Sequence, residues 1–382
     1  MKKVIILGST GSLGRRALSV LRTRRSYFEV VGLAARRNAR ELLRQAEEFK
    51  PRAVALAEPP RAESPFPCKL FAGPQAAVHL VNKLEADTVL AAMSGFCALL
   101  PVLQALRTGK DVALATKECF VAAGAIIKKE CKHAGRSLIP VDSEHSALFQ
   151  ILSTVPREKI LSLTLTASGG PLRNRPADHP AEVRPQDVLR HPVWSMGPKV
   201  SVDSATFMNK ALEVIEAAEF FEIPPEKIEV LVHPEAVLHA LVTMKDGTLF
   251  GVLAFPDMRL PIQVALCWPD RLPPPCPPLD LAALGKLTFQ RPGRQPALEL
   301  ARRVLQLGGT AGAVLNAADE EAVEAFLQGR IPFPAILKVV ERTLAESPII
   351  ADPSLEEVLE ADAQARRRAR AAIAEVCGTE RL

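Results

Sequence analysis

Two hydrophobic patterns alternate along roughly the first 145 residues of the chain. Continuous apolar runs predict strands that are buried on both faces, and these runs are VIILG (4–8), FEVVGLA (28–34), RAVAL (52–56), DTVLAA (87–92) and DVALAT (111–116). Between them apolar residues recur at helical spacing, as in ARELLRQAEEF (39–49). Strands that alternate with helices indicate a parallel sheet with helices on both faces.

A different pattern fills the middle of the chain. Four strand-like stretches predict a second sheet, and they are LSLTLTAS (161–168), KIEVLVH (227–233), VLHALVTM (237–244) and TLFGVLAF (248–255). One helix is expected from Ala205 to Phe221. Residues 171–195 hold five prolines and little periodicity, which is typical of a long loop that serves as a lid or a binding segment.

The last part of the chain is first rich in proline and then helical. Residues 269–296 carry eight prolines and predict a linker, and the stretches that follow it have helical periodicity. The expected fold class is therefore α/β. Its parts are a parallel-sheet domain at 1–147, an α+β domain at 148–268 with a lid loop near 182–198, the proline-rich linker at 269–296, and a C-terminal helical bundle at 297–382.

Composition narrows the class of protein. Hydrophobic residues make up 48% and charged residues 24% of the 382 positions, as in ordinary globular proteins. The net charge of +5 is spread along the chain, so it suits a phosphorylated small molecule and argues against a nucleic-acid partner. Seven cysteines without a C-x-x-C pair suit a reducing cytoplasm better than disulfides or zinc. No window approaches the roughly 18 apolar residues of a membrane span, so no membrane partner is expected.

A glycine-rich turn follows the first predicted strand. Gly8, Gly11 and Gly14 form a G-x-x-G-x-x-G spacing that opens the first helix. Glycines allow a tight turn there, and a helix N-terminus favours a pyrophosphate, so a Rossmann-like dinucleotide site is predicted. The alternative is a purely structural turn between strand and helix.

The end of the second strand indicates which dinucleotide is bound. NAD sites tend to place an acid there, but this strand ends with Arg36, Arg37 and Asn38. Two arginines and an amide suit a 2′-phosphate, which favours NADP over NAD. The alternative is a pair of solvated surface arginines.

Two acids flank one serine in PVDSEHSA. If the chain is extended there, Asp142 and Glu144 point to the same side, and their charges repel unless a cation lies between them. A hard divalent ion, Mg²⁺ or Mn²⁺, takes such oxygen ligands. The alternative is a solvated pair of acids at a strand end.

A second set of polar residues lies in VDSATFMNKALEV. Asp203 or Ser204 can cap the helix, and Asn209 and Glu213 are stacked one helical turn apart. Serine, asparagine and Lys210 can hold a phosphate, and Glu213 can supply a third metal oxygen. The alternative is an ordinary amphipathic helix.

Taken together, the motifs GSTGSLG, LATKE, PVDSEHSA, SGGP, HPVWSMG and VDSATFMNKALEVIEA closely resemble the 1-deoxy-D-xylulose 5-phosphate reductoisomerase family. The resemblance covers essentially the whole chain. It implies an NADPH-binding first domain, a catalytic second domain, a homodimer and a divalent metal. The implied reaction rearranges 1-deoxy-D-xylulose 5-phosphate and reduces the product with NADPH to 2-C-methyl-D-erythritol 4-phosphate, in the non-mevalonate isoprenoid pathway.

The resemblance also assigns roles to matching positions. The implied cofactor residues are Thr10, Gly11, Ser12, Leu13, Arg37, Asn38, Thr116, Glu118 and Gly197. The implied metal ligands are Asp142, Glu144 and Glu213. The implied substrate residues are Lys117, Ser143 and His191 for its backbone, Ser168, Ser204, Asn209 and Lys210 for its phosphate, and Trp194 and Met196 in the lid.

Two positions depart from the family pattern. Thr116 stands where the family usually has an asparagine that contacts the cofactor, and Ala236 stands where it has a serine near the substrate. The rival interpretations are a plain NADP-dependent dehydrogenase that needs no metal and an NADP-sensing regulatory protein without turnover.

Overall fold

A computed structural model of the chain describes residues 1–59, 66–173, 182–194 and 196–379. The strands in this part are β1 (Lys2–Leu7), β2 (Phe28–Ala35), β3 (Ala53–Leu56), β4 (Lys69–Ala72), β5 (Thr88–Ala91), β6 (Asp111–Leu114), β7 (Leu138–Pro140), β8 (Ile160–Ala167), β9 (Ile228–Val232), β10 (Leu238–Met244) and β11 (Leu249–Leu253). The α-helices are α1 (Ser12–Arg22), α2 (Ala39–Phe49), α3 (Ala76–Lys83), α4 (Leu99–Arg107), α5 (Lys117–Ala134), α6 (Ser143–Leu152), α7 (Pro185–Val188), α8 (Pro198–Thr206), α9 (Met208–Phe221), α10 (Arg259–Cys267), α11 (Leu281–Leu284), α12 (Pro296–Leu307), α13 (Ala311–Leu327), α14 (Ala335–Glu346) and α15 (Leu355–Thr379).

These elements form two compact units. Unit 1 comprises Met1–Cys119, Ile127–Phe149 and Asp257–Pro278, and unit 2 comprises Phe120–Ile126, Gln150–Pro256 and Leu279–Leu382. The three-domain division drawn from the sequence, with boundaries at 147, 268 and 296, stays a prediction.

A seven-stranded parallel sheet forms the centre of unit 1. Its strand order is β4-β3-β2-β1-β5-β6-β7, so the chain reverses direction across the sheet after β4 and continues beside β1. This is the Rossmann-like arrangement, in which ligands bind at the carboxyl ends of the strands near the reversal point. The continuous apolar run of β1 is explained by its position, because Val4, Ile5, Ile6 and Leu7 are all fully buried in the middle of the sheet. The predicted parallel sheet is confirmed.

Strand β4 has no counterpart among the predicted strands. Its sequence, KLFA, shows no alternation of apolar and polar residues, and three of its four residues are exposed. It pairs only with β3 at the edge of the sheet, so its conformation depends on that partner. Edge strands of this length carry little hydrophobic signal in the sequence.

Unit 2 contains the predicted second sheet, with strand order β11-β10-β8-β9. β8 pairs with β9 in parallel and with β10 in the antiparallel sense, and β10 and β11 form a hairpin. The C-terminal helices α13, α14 and α15 pack on one another, while α12 packs on α9 and α13 packs on α8. Within the described residues no helix is both long enough and apolar enough to span a membrane.

The helix expected at 205–221 is present as α9, but it starts at Met208, and a separate helix that was not predicted, α8, precedes it. Helix α8 starts at Pro198, and Phe207 separates it from α9 with a left-handed backbone (φ +63°). Asp203 and Ser204 therefore lie inside α8 and do not cap a helix. Apolar periodicity continues through the break, so the hydrophobic pattern alone could not locate it.

Candidate active site

The glycine loop between β1 and α1 has no space for a side chain at two positions. Gly8 has φ +80°, and a Cβ atom on it would lie 2.4 Å from the carbonyl oxygen of Ala92. A Cβ atom on Gly14 would lie 2.2 Å from the carbonyl oxygen of Gly8. The loop thereby delivers residues 10–13 to the start of α1, whose first turn contains no acid. The N–H groups and dipole of this helix end favour an anion such as a pyrophosphate.

At the end of β2 the two arginines have different surroundings. Arg36 forms an ion pair with Glu58, at 2.6 Å between Nε and Oε1. Asn38 caps α2, because its side-chain oxygen accepts a hydrogen bond from the N–H of Glu41 at 3.1 Å. Arg37 lies exposed between them. Of the two arginines, Arg37 is therefore the stronger candidate for a 2′-phosphate contact.

Three predicted site residues lie together where β6 leads into α5. Thr116 is buried, and its hydroxyl donates to the backbone carbonyls of Met93 and, at 3.1 Å, Ala91. At this departure from the family pattern, the threonine thus ties the end of β6 to the end of β5. Lys117 and Glu118 follow in the first turn of α5, and both are largely buried.

The two acids after β7 converge, although not for the reason that the sequence suggested. The predicted extended conformation is wrong, because α6 begins at Ser143 and puts Glu144 in the first helical turn. One carboxylate oxygen of Asp142 nevertheless lies within 4.8 Å of one of Glu144. The Lys117 ammonium pairs with Asp142, and the Ser143 hydroxyl donates to Glu144 at 2.5 Å.

The hydrogen-bond donors predicted to bind a phosphate, here called the phosphate-type donors, lie at the carboxyl end of β8 in unit 2. Ser168 Oγ lies 2.9 Å from His191 Nε2. Gly170, with φ +72°, approaches α8 so closely that a Cβ atom on it would lie 2.5 Å from the Ser204 carbonyl oxygen. The buried Lys210 ammonium donates to the Thr166 carbonyl of β8 at 2.5 Å. Ser168 from a loop, Ser204 from α8 and Lys210 from α9 thus all lie near the carboxyl end of β8.

Asn209 and Lys210 both contact the third predicted acid, Glu213. The Asn209 amide donates to Glu213 Oε1 at 2.5 Å, and the Lys210 ammonium pairs with Oε2. Glu213 is 1% exposed, so these donors offset the cost of burying its charge. The i, i+4 stacking of Asn209 and Glu213 predicted from the sequence is present in α9.

His191 is held as a neutral imidazole. Burial, with a smaller contribution from the Arg173 charge, lowers its pKa to about 4. Its Nδ1 accepts hydrogen bonds from the backbone N–H groups of Val193 at 3.2 Å and Trp194 at 2.9 Å. The ring proton therefore lies on Nε2, which donates to Ser168.

The long loop predicted at 171–195 lies partly outside the described residues, which omit 174–181 and, within the lid near 182–198, residue 195. In the described part, the Trp194 ring lies 6.2 Å from the His239 ring, centroid to centroid. Gly197 is the N-cap residue of α8, and Met196 precedes it. The tryptophan end of the lid is thus in contact with β10 of the sheet.

Arg173 is a site residue that sequence reasoning missed. Its guanidinium donates to the Ser168 carbonyl at 3.0 Å and to the Pro234 carbonyl at 3.4 Å, and its charge acts on His191. The only available signal was a basic residue shortly after SGGP. Ala236, the second departure, has a left-handed backbone with φ +52° and is 8% exposed, close in sequence to Pro234.

Unit 1 thus carries a dinucleotide-type loop and two converging acids, and unit 2 carries phosphate-type donors and a third acid. These are the features of a dinucleotide-dependent oxidoreductase that acts on a phosphorylated substrate. Three family models match the chain. They are described as 1-deoxy-D-xylulose 5-phosphate reductoisomerase at residues 4–124, its C-terminal domain at 138–221, and DXP reductoisomerase C-terminal domain at 253–368.

Curated relatives match over nearly their full length. The 1-deoxy-D-xylulose 5-phosphate reductoisomerase of Thermodesulfovibrio yellowstonii is 44% identical, over 98% of this chain and 100% of its own. That of Thermus thermophilus is 48% identical, over 97% of this chain and 99% of its own. The chain belongs to the 1-deoxy-D-xylulose 5-phosphate reductoisomerase family, which confirms the resemblance seen in its motifs.

Solved structures of the family have the same fold. The Zymomonas mobilis enzyme in complex with NADPH is 38% identical and has a TM-score of 0.89, over 97% of this chain and 99% of its own. A reductoisomerase in complex with NADPH, fosmidomycin and magnesium is 33% identical and has a TM-score of 0.90, over 98% of each chain.

Proposed function

We propose that this protein converts 1-deoxy-D-xylulose 5-phosphate to 2-C-methyl-D-erythritol 4-phosphate with NADPH and a divalent metal. The observation that carries this proposal is the contact of Lys210 with both the end of β8 and Glu213. The buried Lys210 thus connects the residues proposed to bind phosphate with Glu213, which is a proposed metal ligand. Family membership supplies the substrate and the cofactor, since related structures contain NADPH and magnesium.

Ser168, Ser204, Asn209 and Lys210 bind the phosphate of the substrate in this proposal. Their hydroxyl, amide and ammonium groups are the donors that an anion requires, and the lysine adds a charge. His191 connects this group to the lid, because its Nε2 donates to Ser168 while its Nδ1 holds the backbone of Trp194. A phosphate bound at Ser168 would therefore act through His191 on the backbone of Trp194 in the lid.

Asp142, Glu144 and Glu213 hold the divalent ion. Each of these carboxylates already contacts a donor of its own unit, namely Lys117, Ser143 and Lys210 respectively. Oxygen-only ligands of this kind suit Mg²⁺ or Mn²⁺. When bound, the ion supplies polarisation of the substrate's carbonyl and hydroxyl oxygens. Lys117 and Ser143 lie beside these acids, where they can donate hydrogen bonds to the same oxygens.

NADPH binds at residues 10–13, Arg37, Asn38 and Glu118 of unit 1 in this proposal, and Gly197 of unit 2 is a further cofactor residue. The nicotinamide supplies the hydride that reduces the rearranged aldehyde. Thr116 acts here through the backbone, since its hydroxyl donates to carbonyls at the end of β5.

The deciding experiment measures NADPH oxidation by the purified protein with 1-deoxy-D-xylulose 5-phosphate, with and without a chelator. Turnover that needs both the substrate and Mg²⁺ or Mn²⁺ supports the proposal. Turnover unaffected by the chelator would favour a plain dehydrogenase. NADPH binding without any turnover would favour a sensor.

Arg37 tests the cofactor assignment. We expect Arg37→Glu to raise the KM for NADPH about 10- to 100-fold, with little change for NADH, because a charge-assisted hydrogen bond to the 2′-phosphate is worth roughly 1.5–3 kcal/mol. The measurement is kcat/KM with each cofactor. Arg36→Gln is the matched control, since Arg36 pairs with Glu58. An unchanged preference in Arg37→Glu would contradict the assignment.

We further propose a homodimer formed through β11. This strand lies at one end of the second sheet, and Leu249, Phe250 and Leu253 are 59%, 44% and 40% exposed. The opposite edge is partly covered, because Val232 of β9 bridges to Gln290. An apolar edge strand invites pairing with a second copy, and two-fold symmetry lets β11 pair with itself.

Substitution on β11 tests the dimer. We expect Phe250→Glu to shift the protein to monomers in sedimentation analysis at micromolar concentration, because the change places a charge in the interface. Leu307→Glu, at a residue 42% exposed at the end of α12, is the matched control and should leave the dimer intact. A Phe250→Glu protein that sediments as a dimer would exclude this interface.

A cytoplasmic location is also proposed. All seven cysteines carry thiols and none is in a disulfide, which suits a reducing compartment.

A further inference from the structure

A buried ionic cluster in unit 2 lies outside the proposed site. Lys199 Nζ is 2.6 Å from Asp203 Oδ2 within α8 and 2.8 Å from Asp319 Oδ2 of α13. Asp203 is 1% exposed and Asp319 is fully buried. We call Lys199, Asp203 and Asp319 the buried triad. No step of the proposed reaction uses it.

Burial has the largest effect on the charge of Asp319. Burial raises the pKa of Asp319, and the nearby Glu320 adds to this, while Lys199 and a hydrogen bond with Asp203 oppose it. Adjacent buried carboxylates are costly unless cations or hydrogen bonds offset their charge, so the contact with Lys199 stabilises this arrangement.

The triad connects α8 with α13 of the C-terminal bundle, both of which belong to unit 2. Helix α8 directly follows the lid and carries Ser204, which Gly170 contacts at the end of β8. This helix has only nine residues and no side-chain cap at its start, and it ends at the left-handed Phe207. Its position must therefore be determined by what it packs against, and α13 of the C-terminal bundle is such a partner.

We propose that Lys199 and Asp319 are positioning residues, through which the C-terminal helical bundle fixes α8 and so places Ser204 for binding of the substrate phosphate. The inference rests on the proposed function, because it takes Ser204 as a phosphate ligand. It assigns the bundle a role in substrate affinity, exerted by one helix contact. NADPH affinity should depend on the triad less than substrate affinity does. The glycine loop, Arg37 and Asn38 belong to unit 1, and only Gly197 of the proposed cofactor residues adjoins α8.

Asp319→Ala and Asp319→Asn test the proposal as a pair. We expect Asp319→Ala to raise the KM for 1-deoxy-D-xylulose 5-phosphate about tenfold, with kcat changed less than about threefold and the KM for NADPH raised less than the substrate KM. Asp319→Asn should raise the substrate KM less than Asp319→Ala does, because the amide keeps the shape of the side chain and an oxygen that can accept a hydrogen bond from Lys199. If Asp319→Ala does not fold, Asp319→Glu displaces the carboxyl by one methylene and gives the same readout.

A second buried acid in the same bundle provides the matched control. Asp362 of α15 is 7% exposed and bonds Arg366 of the same helix at 2.8 and 3.0 Å. Asp362→Ala should lower the melting temperature without changing the substrate KM. An equal rise of KM in Asp362→Ala would overturn the proposal, because general loosening of the bundle would then suffice. Loss of stability in Asp319→Ala with an unchanged substrate KM would overturn it as well.

Ser204→Ala, measured in parallel, separates this inference from the proposed function. A raised substrate KM in Ser204→Ala but not in Asp319→Ala overturns the positioning role and leaves the phosphate assignment in place. An unchanged KM in Ser204→Ala overturns the phosphate assignment itself, and the inference with it.

Discussion

Replacing Glu213 by glutamine is expected to reduce turnover at least about a hundredfold while NADPH binding is retained. The substitution removes one of three proposed metal oxygens and its charge, and loss of one electrostatic group that acts on the transition state typically costs 10²–10³ in kcat. Glu213 belongs to unit 2 and the glycine loop belongs to unit 1, so the fold of the loop should persist. The measurement is kcat across a Mg²⁺ or Mn²⁺ titration, together with NADPH fluorescence.

The control for this substitution is Glu222→Gln. Glu222 follows the same helix, but it is exposed and pairs with Arg157 at 3.4 Å, a contact that contributes little. Turnover of the control should equal that of the parent protein. Full activity of Glu213→Gln at saturating Mn²⁺ would remove Glu213 from the metal site, and the three-acid assignment would fail.

Gly8→Ala is expected to destabilise unit 1 by about 3 kcal/mol and to abolish NADPH binding. A left-handed backbone costs a non-glycine residue roughly 1–2 kcal/mol, and overpacking typically adds 1–3 kcal/mol. Both apply to Gly8, which has φ +80° and would place its Cβ atom 2.4 Å from the Ala92 carbonyl oxygen. Relief of this contact would move the loop that leads into α1. Chemical denaturation and NADPH titration measure the two effects.

Gly73→Ala separates backbone strain from the steric contact. Gly73 has φ +99°, but a Cβ atom on it would meet nothing within 4 Å. This variant should lose only about 1 kcal/mol and bind NADPH normally. If Gly8→Ala were no worse than Gly73→Ala, the close approach to Ala92 would not be a requirement of the loop.

The acids after β7 illustrate how far sequence reasoning reached. Their spacing identified Asp142 and Glu144 as a pair, and the structure brings their oxygens together. The local geometry assumed for them was wrong, because a helix starts at Ser143. The prediction of proximity survived since residues so close in the chain stay neighbours in either conformation. Whether a strand continues past its sheet depends on tertiary pairing, which no local pattern records.

Side chains far apart in the chain are a different case. Arg173 and the buried triad were not identified from the sequence, because a lone arginine in a loop or a lysine in a helix has no pattern that marks it. Asp319 lies in a helix with an ordinary apolar periodicity, and its contact with Lys199 depends on how α13 packs against α8.

What the sequence determined by itself was the parallel sheet, the glycine loop and the family, because these depend on periodicity and on motifs within short segments. The tertiary structure decided the break at Phe207, the separate surroundings of Arg36 and Arg37, and the neutral state of His191. Each of these depends on burial or on partners brought from elsewhere in the chain, as the low pKa of the buried His191 illustrates. Helix ends, charge pairing and protonation follow from packing, and packing exists only in the folded chain.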